Sequence, residues 1–160
     1  MKEQFLDLGA SNSPHPRATH AVDKMSKPAV FKETFKSKYL IHGITKAEFE
    51  NKLKQMDYKF NFNYNTQKLP WPNNSFKMVY SNGSLGNFGK VAAFREAYRV
   101  LKHGGKLIFT FSKYEEKYYE MIKMLKNIGF IKMHNTQGET QIYKKRKIIA
   151  GTMVAYKPIV

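Results

Sequence analysis

The sequence predicts an α/β domain built on a mainly parallel sheet. Three observations predict it. Apolar strand-like segments alternate with amphipathic helical ones along the chain, and that alternation produces parallel strands joined by crossover helices. The first strand segment ends in a glycine and the second in an aspartate. Ligand-binding α/β sheets use such residues at their carboxyl edge. The last two strand segments have no helix between them, so they read as an antiparallel hairpin.

The elements follow in order. Residues 4–9, Gln-Phe-Leu-Asp-Leu-Gly, read as a short buried strand closed by Gly9. No helix fits residues 10–17. Pro16 would break it, and Pro14 biases its predecessor to extended geometry. Residues 19–22 form a second strand that closes on Asp23, and residues 24–43, with Pro28, read as loop with a helical turn. Thr45-Lys46-Ala47-Glu48 matches a capping box, and Phe49, Leu53 and Met56 follow on one helical face. Phe60, Phe62 and Tyr64 alternate with Asn61 and Asn63, a strand pattern. Residues 69–74 read as a turn, 76–80 as a strand and 81–89 as a loop. Val91, Phe94, Tyr98 and Leu101 share a helical face, and that helix is expected to stop at His103-Gly104-Gly105. Residues 106–111 are an apolar strand. Tyr118, Met121, Ile122, Leu125 and Ile128 predict a further helix closed by Gly129. Residues 130–133 and 152–156 are the last strands, with a loop over 137–147.

The 160 residues suit a single domain spanning 1–160. The absence of cysteine excludes disulfides, thiolate zinc sites and any cysteine nucleophile. No metal site is expected. No signal peptide and no run of 18 or more apolar residues is seen, so the expectation is a soluble cytoplasmic protein with no membrane partner. Lysine and arginine total 28 against 12 acids, a net charge of +16. Such an excess attracts polyanions, which makes nucleic acid a candidate partner. The lysines are spread along the chain, and the one dense run is Lys144-Lys145-Arg146-Lys147.

Physical chemistry alone gives the first two strand ends a role. Gly9 permits a close approach to the backbone. Asp23 is placed to accept hydrogen bonds from a ribose diol, and Asp7 to orient the loop or neutralise an ammonium group. The competing reading is a tight turn beside an exposed aspartate.

Five segments, in order, resemble the class I S-adenosylmethionine (SAM)-dependent methyltransferases, in particular their compact type-11-like subset. Phe5-Leu6-Asp7-Leu8-Gly9 is similar to the family's first motif, and Ala21-Val22-Asp23 to its second-strand acid. Residues 69–76 resemble the approach to the fourth strand. Residues 94–107 resemble the helix, double-glycine turn and fifth strand, and residues 125–130 the helix end before the sixth. The resemblance implies a Rossmann-like three-layer α/β/α fold with a mixed, mostly parallel seven-stranded sheet of order 3-2-1-4-5-7-6. It implies SAM as cofactor, over the ends of strands one, two and four. Asp7, Leu8, Gly9, Ala10 and Ser11 would flank the methionine part, and Asp23 would hold the ribose. Asn63 or Asn65 would accept from the adenine amino group, with Leu69 and Trp71 packed nearby. Ser81 and Asn82 would face the sulfonium and the acceptor. The first loop lacks the family's second glycine, and only 13 residues separate Gly9 from Asp23, too few for the usual first helix.

The implied activity is methyl transfer to an unidentified acceptor, with no assigned catalytic residue. Among the histidines, His15 is the candidate site member, and His103 reads as structural. The place after the fourth strand reads Ser81-Asn82-Gly83-Ser84, without the proline motif of amino-methylating nucleic-acid enzymes. With no separate substrate domain, a small acceptor, a second copy of the chain or a large partner completes the site. The alternative reading is a catalytically silent protein of the same fold that binds nucleic acid or a protein through its basic surface.

Overall fold

The computed structural model describes residues 3–10, 14–24 and 45–160. The elements are β1 (Phe5–Leu8), β2 (His20–Val22), α1 (Lys46–Gln55), β3 (Asp57–Lys59), β4 (Phe76–Ser81), α2 (Ser84–Phe88), α3 (Val91–Val100), β5 (Leu101–Tyr114), α4 (Glu115–Ile128), β6 (Ile131–Tyr143) and β7 (Arg146–Tyr156). The strands form one seven-stranded sheet of order β3-β2-β1-β4-β5-β7-β6, the order the resemblance implied. Strands β1 to β5 are parallel neighbours, while β7 runs antiparallel to both β5 and β6.

The alternation of side chains sorts the sheet into two faces. Leu6, Leu8, Val22, Val79, Leu107, Phe109, Met153 and Ala155 are fully buried. They form one core cluster with Ala93, Phe94, Ala97 and Val100 of α3 and Met121 and Leu125 of α4. Phe94 meets Phe109 edge-on at a centroid distance of 5.4 Å. The other face carries Phe5, Asp7, Met78, Tyr80, Lys106, Ile108, Val154 and Tyr156 along paired registers.

The capping box forms as predicted: Glu48 N–H donates to Thr45 Oγ1 at 3.2 Å, and Thr45 N–H to Glu48 Oε2 at 3.3 Å. Four expectations are corrected. The third strand is Asp57–Lys59, not the alternating run at 60–64, because β2 offers only three residues to pair with and Asn61 turns the chain at φ 55°. Residues 84–88 are helical rather than loop. Helix α3 ends at Val100, and Leu101 is already extended. Gly104 does take a left-handed φ of 77°, but inside the irregular start of β5 rather than as a helix cap. Residues 137–147 are not a loop but the far half of the β6–β7 hairpin. The reading of residues 24–43 falls, apart from Lys24, outside the described residues.

Candidate active site

In the order β3-β2-β1-β4-β5 the direction of winding reverses between β1 and β4, and the carboxyl ends of these strands are where such sheets hold ligands. Asp7 sits in β1 and is 2% exposed, with Oδ2 accepting the His15 N–H at 2.6 Å. Asp23 follows β2 directly and is 8% exposed. Its backbone is fixed on both sides: its N–H donates to the Lys59 carbonyl at 3.0 Å, and its carbonyl accepts from Phe62 N–H at 2.9 Å. Both carboxylates act on Tyr58. Burial chiefly, then the charges of Asp23 and Asp7, push that phenol far above its ordinary range. Burial also raises Tyr64 and Tyr80, helped by Asp23 and by Asp7 respectively. This edge is a local concentration of buried negative charge in a chain of net charge +16.

Gly9 has φ +74°. Its N–H and that of Ala10 both donate to the Val22 carbonyl, at 2.9 and 3.0 Å, so the first loop is tied back onto β2. A Cβ at Gly9 would lie 2.5 Å from Ser84 Cβ and 3.4 Å from Tyr64 Cε1. Ser84 Oγ donates to the Gly9 carbonyl at 3.1 Å. The close approach that Gly9 allows is therefore used by the protein itself. Sequence reasoning missed Ser84 and Tyr64 as members of this edge. Tyr64 was assigned to a strand face, and nothing in the sequence signals that α2 folds back on the first loop.

The remaining expected residues divide. Leu8 is fully buried in the core and Ala10 is 6% exposed, while Ser11 lies outside the described residues. Asn63 forms a turn in which its Oδ1 accepts from Asn65 N–H at 3.1 Å. Asn65 is buried, and its amide joins two connections, donating to the Phe88 carbonyl at 3.1 Å and accepting from Lys90 N–H at 2.9 Å. Leu69 is 2% exposed, its N–H held by Glu96 at 2.8 Å and its carbonyl by Arg99 at 3.0 Å. Trp71 departs most from expectation. Its indole donates to Asp57 and packs on His20 and Phe76. These are the first residues of β3, β2 and β4, so Trp71 belongs to the amino edge of the sheet, away from the expected adenine. Ser81 Oγ accepts from Leu85 N–H at 2.9 Å, and Asn82 Oδ1 from Thr110 Oγ1 at 3.0 Å. His15 stacks on Phe5 at 4.9 Å and its Nδ1 accepts from Arg17 N–H at 3.1 Å. His103 is exposed, with Nδ1 3.2 Å from the Pro158 carbonyl, consistent with a structural place.

Residues 37–109 match the family model described as a methyltransferase domain. The chain has the fold of class I methyltransferases. Among solved structures it superposes on an arsenic(III) S-adenosylmethionine methyltransferase from Chlamydomonas reinhardtii with a TM-score of 0.69 at 18% identity, over 98% of this chain and 64% of that one. The YcgJ protein from Bacillus subtilis gives a TM-score of 0.67 at 13% identity, over 98% of this chain and 92% of that one. Phosphoethanolamine N-methyltransferase 2 from Haemonchus contortus, in complex with S-adenosyl-L-methionine, gives 0.63 at 16% identity, over 99% of this chain and 50% of that one. At these identities the likeness is one of fold. No curated protein matches the sequence. Among the described residues, no group of acids and histidines could hold a metal, and no helix is long and apolar enough to cross a membrane.

Proposed function

We infer that this chain is a SAM-dependent methyltransferase acting on an unidentified acceptor, as a single domain over 1–160 and in the cytoplasm. The observation that carries the reading is the pair of buried carboxylates, Asp7 and Asp23, at the carboxyl edge of adjacent strands beside the switch point. SAM bears an ammonium, a sulfonium and a ribose diol, each of which suits a carboxylate, so the donor set fits the cofactor. When bound, SAM supplies a methyl carbon activated by its sulfonium.

The chain's own residues then have distinct tasks. Asp23, clamped by Lys59 and Phe62, accepts from the ribose hydroxyls. Asp7 offsets the ammonium and holds the first loop through His15 N–H. Of the two asparagines, Asn63 suits the adenine amino group, because its carbonyl oxygen has a second lone pair whereas both ends of the Asn65 amide are engaged. Ser81 and Asn82 keep α2 and the end of β4 in place. The rate enhancement comes from alignment of donor and acceptor, and no general base is assigned. Titration calorimetry with SAM and its demethylated product tests this. Micromolar to low-millimolar binding is expected, weakened at least about tenfold by Asp23→Ala, the loss of a charged acceptor. No heat at millimolar ligand would overturn the reading.

The second reading, a catalytically silent protein of this fold that binds nucleic acid or a protein partner, is favoured by one observation. Ser84 and Tyr64 fill the space against Gly9.

A further inference from the structure

The sheet's two faces are finished differently. On one, every central side chain is buried under α3 and α4. On the other, a row runs across five strands in register: Phe5 beside Met78, Met78 beside Lys106, Lys106 beside Tyr156, and Tyr156 beside Ile131. Only Phe5 of this row is buried, and Ile131 is 40% exposed. The next row carries Asp7, which is buried, then Tyr80, Ile108, Val154 and His134.

Two cavities lie along these rows. The first, ≈ 710 Å³, has Phe5, His15, Met78, Tyr80 and Ile108 among its lining residues, with Arg17, Lys77 and Lys106 around it. The second, ≈ 620 Å³, is lined by residues including Ile131, Lys132, His134 and Tyr156. They adjoin at the Lys106–Tyr156 pair. The charge lining the two cavities is mostly positive. Glu3 is the only acid lining either cavity among the described residues. Its carboxyl is held below the ordinary range by a hydrogen bond from Lys77 and by the charges of Lys77, Lys102 and Lys106. One carboxylate thus faces several cations.

We propose that this groove binds single-stranded nucleic acid, with bases against Tyr80 and Tyr156 and phosphates on Arg17, Lys102, Lys106 and Lys132. The chemistry selects that occupant. Cations at the rim attract the phosphates, and aromatic and apolar side chains on the floor reward an exposed base face. A duplex keeps its bases stacked and offers the floor nothing. The groove runs from the amino edge of the sheet, at Phe5, Lys77 and Lys106, to Tyr80, which pairs with Asp7 in register; its cations and Tyr156 lie away from Asp23, and the inference does not depend on cofactor binding.

Fluorescence anisotropy of a labelled oligo(dT) of about 12 nucleotides with the full chain, at several salt concentrations, tests it. Binding should weaken as salt rises, with a slope reporting about two to four phosphate contacts. Tyr80→Leu and Tyr156→Leu should each weaken it by about tenfold or more with the slope kept. Lys102→Gln with Lys106→Gln should flatten the slope. A duplex of equal length should bind less tightly. Equal affinity for duplex and single strand, or tyrosine variants that are folded by circular dichroism yet bind normally, would overturn the proposal. So would binding to phosphatidylserine vesicles without binding to the oligonucleotide. Should a tyrosine variant not fold, photocrosslinking of a 4-thiothymidine strand to the wild type decides: adducts at Tyr80 or Tyr156 support the groove, and adducts confined to other surfaces refute it.

Discussion

Gly9→Ala perturbs the carboxyl edge at a point where the cost can be divided. The backbone there has φ +74°, a conformation that costs a residue with a Cβ about 1–2 kcal/mol. The new methyl would lie 2.5 Å from Ser84 Cβ and 2.8 Å from its Oγ. Overlap of that kind adds about 1–3 kcal/mol, for a total of about 2–5 kcal/mol. Ser84→Gly removes the overlapping atoms but leaves the φ cost. Gly9→Ala in that background should therefore cost only about 1–2 kcal/mol, a coupling energy of about 1–3 kcal/mol. Urea unfolding of the four proteins, followed by fluorescence of the single tryptophan, Trp71, measures the cycle. The Ser84 hydrogen bond to the Gly9 carbonyl is lost in both Ser84→Gly proteins, so it cancels. A coupling within about 0.5 kcal/mol of zero would refute the claim that Ser84, rather than backbone geometry alone, requires a glycine here.

Two further predictions concern the connections behind the site. Lys157 is 6% exposed, and its ammonium donates to Asn74 Oδ1 and to the Tyr98 and Leu101 carbonyls at 2.8–3.0 Å. Lys157→Met strands those acceptors and should lower stability by about 2–4 kcal/mol, measured by urea unfolding; an unchanged midpoint would contradict the contacts. Burial tends to raise the Glu96 carboxyl, but hydrogen bonds from Arg99 and Leu69 N–H, with the Arg99 charge, hold it below the ordinary range. Its folded pKa lies below its unfolded one, so its contribution is complete above the ordinary carboxylate range and is lost as pH falls through the folded value. Glu96→Gln should cost about 1–2 kcal/mol at neutral pH. That difference should shrink between about pH 5 and about pH 3, and chemical unfolding across that range would show a constant difference if the pairing were irrelevant.

The mainly parallel sheet and its closing antiparallel hairpin were legible in the alternation of apolar strands and amphipathic helices, while the strand order followed from the resemblance to methyltransferases; the sequence also placed Gly9 and Asp23 at strand ends. What the sequence hid was set by partners elsewhere in the chain. Phe60, Phe62 and Tyr64 have strand periodicity, yet pairing with β2 uses Asp57–Lys59 instead. The helix at Ser84–Phe88 is short and contains Gly86, where a Cβ would lie 2.1 Å from the Thr110 carbonyl oxygen; only the folded neighbour explains that glycine. The β6–β7 turn places Lys144 and Lys145 at φ 47° and 63°. A tight two-residue hairpin with both residues at positive φ usually advertises itself with asparagine and glycine, so a lysine pair gives no signal. Trp71 sits beside Leu69 in sequence, but the chain between β3 and β4 returns to the amino edge, and the indole goes with it.

The strand order has a consequence for how the molecule is made. Strands β5, β6 and β7 and helix α4 are consecutive in the chain and pair with one another. By contrast β1 must wait for β4, as Leu6 beside Val79 shows. Contacts between distant segments carry the larger loop-closure cost. The C-terminal strands thus pair among themselves, whereas β1 pairs with a strand some seventy residues further along. Asp7 lies in β1 and Asp23 directly after β2. A ligand bound between them would tie together segments whose pairing spans long loops, so its binding would add to the stability of the fold.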